Sequence, residues 1–449
     1  MIPESASMAA SSSSTTLELA GQPTLPRPAS PGSRAWIALG TLCFVYVLNF
    51  LSRQLPSILA KPIQDNLHVT DGELGLIGGL YFALFYCCIS IPVGWLADKT
   101  SRSRILAAAC AVWSVATMCC GLAATYPLFV IAYMAVGFGE AGGVPPSYSI
   151  ITDYFPTGKR GTALGLFNLG PGLGATMGIA FGAAIAAAFS WRDSFICLGA
   201  IGLFAALGVL VLVREPVRGG LDRLHDQSAL GKAGFRQTFF MFFSRPPLVV
   251  VALACGATQF ITYGLSNFTV LFLMREKGMV LKQIAVYYAL VVLVGMGGSM
   301  FVSGRFIDRF TRISKQAYAI IPATSLTLSV PFYLCFLSAP SWRIALLFLA
   351  ATIFLNYFYL SSAVTFVQEE VRPDQRVMSG ALLLLVMNFI GLGLGPTFVG
   401  SMSDLFHRSH PHNSLQLALY ALAPFYLVAI LLFVKLARIL RNHSPAVGE

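Results

Sequence analysis

The chain has 449 residues, 56% hydrophobic and only 11% charged, against about a quarter charged in soluble domains. Its mean hydropathy of +0.73 excludes a soluble globular protein and marks a polytopic membrane protein. The formal charge of +11 does not point to nucleic acid, because the basic residues collect in particular loops rather than on one face.

Lipid admits only helices or closed barrels as spanning structures. The apolar runs here are about 20 residues or longer rather than alternating ten-residue strands, so the fold class is read as an all-α membrane protein. Residues 1–34 are Ser/Thr/Pro-rich and read as a disordered tail, lacking the basic start and apolar core of a signal peptide. Twelve helical spans follow, near 35–60, 74–97, 104–124, 128–151, 161–189, 194–213, 248–274, 281–304, 316–338, 342–368, 376–403 and 415–440. The even count puts both termini on one side. Loops and tails on that side carry 22 basic residues against 7 opposite, which places both termini in the cytoplasm.

The first span contains "YVLNFLSRQLP". Tyr46, Asn49 and Arg53 recur at i, i+3 and i+7 and share one face. A guanidinium facing lipid costs at least a few kcal/mol, so this face turns into the bundle. In the fourth span Tyr133, Gly137 and Glu140 share a face in the same way. At 1.5 Å per residue Arg53 and Glu140 differ in depth by about 8 Å, a distance that long side chains and the small residues Gly137 and Gly139 can close. An Arg53–Glu140 pair is therefore expected at a central cavity. "VPP" at 144–146 and "GPGLG" at 170–174 interrupt regular helix hydrogen bonding and predict bends in spans four and five.

Residues 214–247 form the one long internal loop. They predict a cytoplasmic linker between an N-terminal bundle at 35–213 and a C-terminal bundle at 248–440, with a short tail at 441–449. Gln259, Tyr263, Ser266 and Asn267 form a polar face of the seventh span; Asn356, Tyr359 and Ala363 form one of the tenth. Interhelical hydrogen bonding and substrate contact explain such faces about equally well. "HRSHPH" at 407–412 has irregular spacing, is interrupted by Pro411 and has no thiol nearby, so no metal site is read there. The nine cysteines lie in apolar runs and read as small buried hydrophobes, with no disulfide framework and no zinc spacing.

The two halves echo one another. "GWLADKTSRSR" (94–104) after the second span matches "GRFIDRFTRISK" (304–315) after the eighth, both G-x-x-x-D-basic. "GPGLG" in the fifth matches "GLGLGPTFVG" (391–400) in the eleventh, and "YVLNF" in the first matches "YGLSNF" in the seventh. Related bundles with a site between them are the mark of a secondary transporter. An ATP-driven pump is not indicated, since no G-x-x-x-x-G-K-[ST] loop occurs. Nor is an intramembrane enzyme, because all six histidines fall in loops or tails and no cofactor signature is present.

With those motifs the chain resembles the major facilitator superfamily from about residue 35 to 440. "GFGEAGGVPPSYSIITDYFPTGKRGTALGLFNLGPGLG" (137–174), "NFLSRQ" (49–54) and "LLLLVMNFIGLGLGPTFVGSMSDL" (382–405) are similar to its Spinster branch, in a bacterial form. The resemblance implies twelve helices in two six-helix bundles around a central cavity, alternating access, a lysophospholipid- or sphingolipid-like substrate and proton coupling. Two positions depart from the family's pattern. Ser52 stands where an aspartate usually precedes the arginine, and Tyr133 where an arginine is common.

The expected proton-coupling residues are Glu140 and Arg53. The expected substrate lining is Tyr46, Asn49, Ser52, Arg53, Tyr133, Glu140, Gln259, Tyr263, Asn267, Asn356 and Tyr359. Asp98, Lys99, Arg102, Arg104, Asp153 and Asp308 are expected to gate the cytoplasmic side, Asp98 by pairing with a helix start in the other bundle and the bases by gripping Asp153 or lipid phosphates. The expected partners are the amphiphile, protons and membrane lipids, with no nucleic acid, for a monomer in a bacterial inner membrane. Small organic anions or drugs, carried with or without protons, are the alternative cargo, and a non-transporting lipid sensor the alternative class.

Overall fold

The computed structural model describes residues 32–216, 235–372 and 375–443. The tails expected at 1–34 and 441–449 and the middle of the linker expected at 214–247 lie largely outside them. Among the described residues, twelve helices are long and apolar enough to cross a membrane. Spans 1–6 are Ser33–Ile58, Asp71–Gly94, Arg102–Leu122, Tyr126–Tyr154, Lys159–Ala188 and Trp191–Leu212. Spans 7–12 are Pro246–Arg275, Leu281–Phe310, Ala317–Ser338, Trp342–Glu370, Met378–His407 and Ser414–Asn442. Each half packs as its own bundle around buried aliphatic and aromatic side chains.

Several spans are broken where their sequence weakens the hydrogen-bond ladder. Span 4 stops at Glu140, turns through 141–143 and restarts as Val144–Tyr154. Pro145 and Pro146 sit at the start of the second piece, where a missing N–H costs nothing. Span 5 breaks between Phe167 and Gly170. Spans 2, 8 and 11 carry π-helical turns at Ile77–Tyr81, Ile284–Tyr288, Leu293–Gly297 and Asn388–Leu394. Such turns mark positions where a helix is adapted to a site or a close neighbour.

The two ends of the molecule differ. At the end opposite the termini the halves are clamped together. Span 2 lies against span 11, span 5 against span 8, and span 1 against span 7. A Cβ on Gly75 would stand 2.5 Å from the Pro396 carbonyl oxygen, and one on Gly400 would strike the Asp71 carbonyl. Glycine at these two positions is what lets the backbones of spans 2 and 11 touch. At the end that bears the termini, each half is braced within itself. Arg102 Nη1 bonds Asp153 Oδ2 at 2.5 Å, Tyr154 donates to the Arg214 carbonyl at 2.6 Å, and Ser303 and Ser361 lie 3.1 Å apart. The described part of the linker includes a helix, Phe235–Ser244, that exposes Phe239, Phe240 and Phe243 while burying Phe242. That pattern suits a helix lying in the membrane interface.

Candidate functional site

Arg53 and Glu140 meet at the centre of the first half. Arg53 Nε and Nη2 donate to Glu140 Oε2 at 3.1 and 2.9 Å, and the Ser52 hydroxyl donates to Oε1 at 2.7 Å. The Arg53 side chain is 8% exposed and that of Glu140 is 0%. The break in span 4 falls directly after Glu140, so the carboxylate sits at the end of a half-helix. Gly139 packs on Trp113 of span 3 and Gly137 on Phe82 of span 2, which brings span 4 close to both.

Three rings surround the guanidinium. Its carbon lies 4.8 Å from the Phe50 centroid, 5.0 Å from Phe82 and 4.9 Å from Tyr86. Cation–π attraction and exclusion of water stiffen the pair. Tyr263 of span 7 is near enough to Arg53 for the two groups to interact electrostatically, so the second half borders the site. The two residues that depart from the family's pattern both belong to it. Ser52 binds the carboxylate, and the Tyr133 hydroxyl donates to the Arg53 carbonyl at 3.4 Å. One cation and one anion therefore face each other, with neutral donors where additional charges would otherwise stand.

The other sequence-selected residues divide. Tyr46 stacks on Phe167 at 4.3 Å, beside the break in span 5. Asn49 is 2% exposed, and neither its Oδ1 nor its Nδ2 has a hydrogen-bond partner. Gln259 Oε1 is likewise unpartnered. A buried unpaired amide costs about 1–3 kcal/mol and is the kind of group that awaits a polar guest. Asn267 lies against Gly78 of span 2. Asn356 accepts from Ser329 at 2.8 Å and donates to Tyr426 at 2.9 Å, which ties span 10 to spans 9 and 12. Tyr359 is 2% exposed, within the second bundle beside Gln259. Between the halves lies a cavity of about 40 Å³ lined in part by Gln54, Thr262, Ser266, Asn356 and Tyr357. It has room for about one water.

Of the expected gating residues, Arg102 holds Asp153, and both belong to the first half. Lys99, Arg104 and Asp308 are exposed, and the Asp98 side chain lies outside what the structure describes. The sequence reading missed Glu215, which accepts from the Ser103 amide at 2.9 Å and the Ser101 hydroxyl at 2.8 Å and so caps span 3. Partial burial pushes its carboxyl up, but these donors outweigh burial and hold it below the ordinary 4.5.

A larger omission lies at the clamped end. Arg275, at the end of span 7, grips Asp71 with both Nη atoms at 2.7 and 2.6 Å and also reaches Gln64 at 2.6 Å. Ser403 of span 11 donates to Asp71 at 2.6 Å, and the Gly72 amide donates to Asp404 at 3.0 Å. This network joins residues of both halves around one carboxylate that is 5% exposed. In the sequence Arg275 counts only as a loop charge and Asp71 precedes the expected span. The one available signal was an acid and a base at span ends on the same side.

A twelve-span transporter with a pair of charges at its centre is the class this fold defines. The chain matches the model of the Major Facilitator Superfamily over residues 42–385 and belongs to that family. It is Spinster-like. A solved bacterial homolog of the human lysosomal transporter Spinster, in an inward-facing and unoccupied conformation, superposes with a TM-score of 0.86 at 28% identity, covering 94% of this chain and all of that one. An MFS-type efflux pump of Mycolicibacterium smegmatis is 28% identical over 375 residues, 83% of this chain and 85% of its own length. Protein spinster homolog 1 of Homo sapiens is 23% identical over 411 residues, 86% of this chain and 76% of its own length.

Proposed function

We propose that the chain is a secondary active transporter that moves an amphiphile with an anionic head group by alternating access and couples it to protons through Glu140 and Arg53. The observation that carries this reading is the buried, ring-enclosed Arg53–Glu140 pair, on the same helix face as the unpartnered amide of Asn49. An incoming phosphate or carboxylate competes with Glu140 for the forked guanidinium. If it succeeds, Glu140 is left as an uncompensated charge in a dry interior and takes up a proton. Anion and proton then share the site, and the pair re-forms when both depart. Alkyl chains suit the Phe-, Leu- and Met-rich surroundings of the central spans.

The excess of basic residues on the termini side assigns that side to the cytoplasm, in what we take to be a bacterial inner membrane. With the opposite end clamped, the arrangement is then one open to the cytoplasm. Asp71–Arg275 acts as the outer latch, and its release is the step that exposes Glu140 to the other side. The division at residues 214–247 separates the two rocking units.

The test is flux of a lysophospholipid carrying one net negative charge, lysophosphatidylglycerol, from proteoliposomes with and without an imposed pH gradient. Flux that accelerates with the gradient, and loses that acceleration in Glu140→Gln, is the expected result. Gradient-independent flux in the native protein overturns proton coupling. Normal flux and substrate choice in Arg53→Lys overturns the head-group role, because lysine cannot present the same fork. Binding without flux in any gradient favours a lipid sensor.

A further inference from the structure

The outer surface of the second half carries a groove that the transport reading does not use. It runs between spans 9 and 12 at the end bearing the termini, with a volume of about 370 Å³, within the range of about 300–1,000 Å³ typical of small-molecule sites. Ile320 and Ala323 form one wall, and Ile430 and Val434 the other. Thr324 and Thr327 also line it, but their hydroxyls are spent on the carbonyls of Ile320 and Ala323 at 2.9 and 2.8 Å. The walls therefore offer methyl groups and no free donors. From Gln316 to Thr327 the groove follows about 16 Å of helix, roughly half the thickness of the hydrocarbon core and so the depth of one leaflet.

The mouth is of opposite character. Arg438 and Arg441 continue the face of span 12 that carries Ile430 and Val434, and Gln316 stands across from them. Both arginines are exposed. Neither arginine belongs to the ion pairs Arg53–Glu140, Lys61–Asp65, Arg102–Asp153 or Arg275–Asp71. Positive charge at this end is accounted for by topology, but topology does not require two arginines at the mouth of one apolar groove. We infer that the groove holds a single anionic phospholipid from the adjoining leaflet, with an acyl chain between the walls and the phosphate on Arg438 and Arg441. Forked guanidinium groups suit a phosphate, and basic pockets between spans are where anionic head groups bind.

The bound lipid reaches the centre through packing. Deeper along the same two spans, Ser329 and Tyr426 hold the Asn356 amide, and Asn356 lines the cavity between the halves. A chain wedged between spans 9 and 12 braces that contact and stabilises the second half.

The experiment uses the full chain purified in a neutral detergent. Its thermal midpoint is followed while phosphatidylglycerol, phosphatidylcholine of the same chains, or soluble glycerol phosphate is added, and retained lipid is counted by native mass spectrometry. Phosphatidylglycerol is expected to raise the midpoint more than phosphatidylcholine, and glycerol phosphate not at all. The Arg438→Gln, Arg441→Gln double variant, altered only at exposed positions, is expected to bind phosphatidylglycerol about tenfold or more weakly while responding to phosphatidylcholine as before. Thr324→Trp, which fills the groove, is expected to lose retained lipid. An equal phosphatidylglycerol response in native and double variant overturns the inference, as does a shift produced by glycerol phosphate alone. If Thr324→Trp fails to fold, the exposed arginine variant and the lipid count still decide it.

Discussion

Ser52 decides the electrical state of the central site. Its hydroxyl stabilises Glu140 Oε1 at 2.7 Å without adding charge, so Arg53 balances Glu140 one for one. An aspartate at this position places a second carboxylate within reach of one guanidinium, and two such groups cannot both be ionised without a second cation. Ser52→Asp is therefore expected to add a second titration step to the pH profile of proteoliposome flux. An unchanged profile means that position 52 does not communicate with Glu140. The reach of Arg53 toward Glu140 was readable from helical periodicity and from the cost of a cation in lipid. The Phe50, Phe82 and Tyr86 cage was not, because Phe82 and Tyr86 belong to span 2 and no local pattern points them at span 1.

Helix pairs set what can move. Gly72, Gly75 and Gly79 lie along one face of span 2, against Gly393, Pro396 and Gly400 of span 11. Close approach there depends on missing side chains, so Gly75→Leu is expected to force the two helices apart and raise amide hydrogen exchange across 71–81 at least tenfold. Unchanged protection means that the contact is looser than the 2.5 Å approach requires. At the other end, Glu215 caps span 3 through Ser101 and Ser103. Its carboxyl is held below 4.5, so its contribution is complete above that value and is lost as pH falls through the lowered one. Because Glu215 is exposed, the effect is below about 1 kcal/mol. It is best read as lost protection of the Ser103 amide in acid, relative to its intrinsic exchange rate at that pH, a change that Glu215→Gln brings to neutral pH. The breaks at 141–143 and 168–169 follow from the Pro and Gly residues visible in the sequence. The π-turns do not, since they answer to neighbours in other spans.

For the molecule as a whole, the proposed alternating access makes the Asp71–Arg275 network a bias on the balance between two arrangements. Removing one member leaves the other charge buried and unpaired, at a cost of up to about 3–5 kcal/mol. Arg275 is 23% exposed, which brings the expectation nearer the low end. Asp71→Asn is expected to populate the arrangement open at the far end by about tenfold or more. The readout is the distance between spin labels on Asp65, in the helix Ala60–Leu67 between spans 1 and 2, and Arg408, just past span 11. Asp71→Asn with Arg275→Gln is expected to shift the distance less than either single change, because no charge is stranded. A distance unaffected by any of the three shows that glycine packing alone holds the seal.

Hydropathy, the even number of spans and the halves' matching motifs were determined by the sequence alone, because lipid imposes the same length and polarity on any spanning helix whatever its neighbours. The faces carrying Arg53 and Glu140 were likewise set by periodicity within single helices. Only the tertiary structure decided which charges meet across the halves. Asp71, Arg275 and Ser403 are separated by some two hundred and by over three hundred residues of chain, and nothing local couples them. The same holds for the groove below Arg438 and Arg441, whose walls come from two helices about a hundred residues apart. A polar group's partner within a helix is fixed by a repeat of 3.6 residues; its partner on another helix is fixed by how the bundles pack, which no single segment encodes.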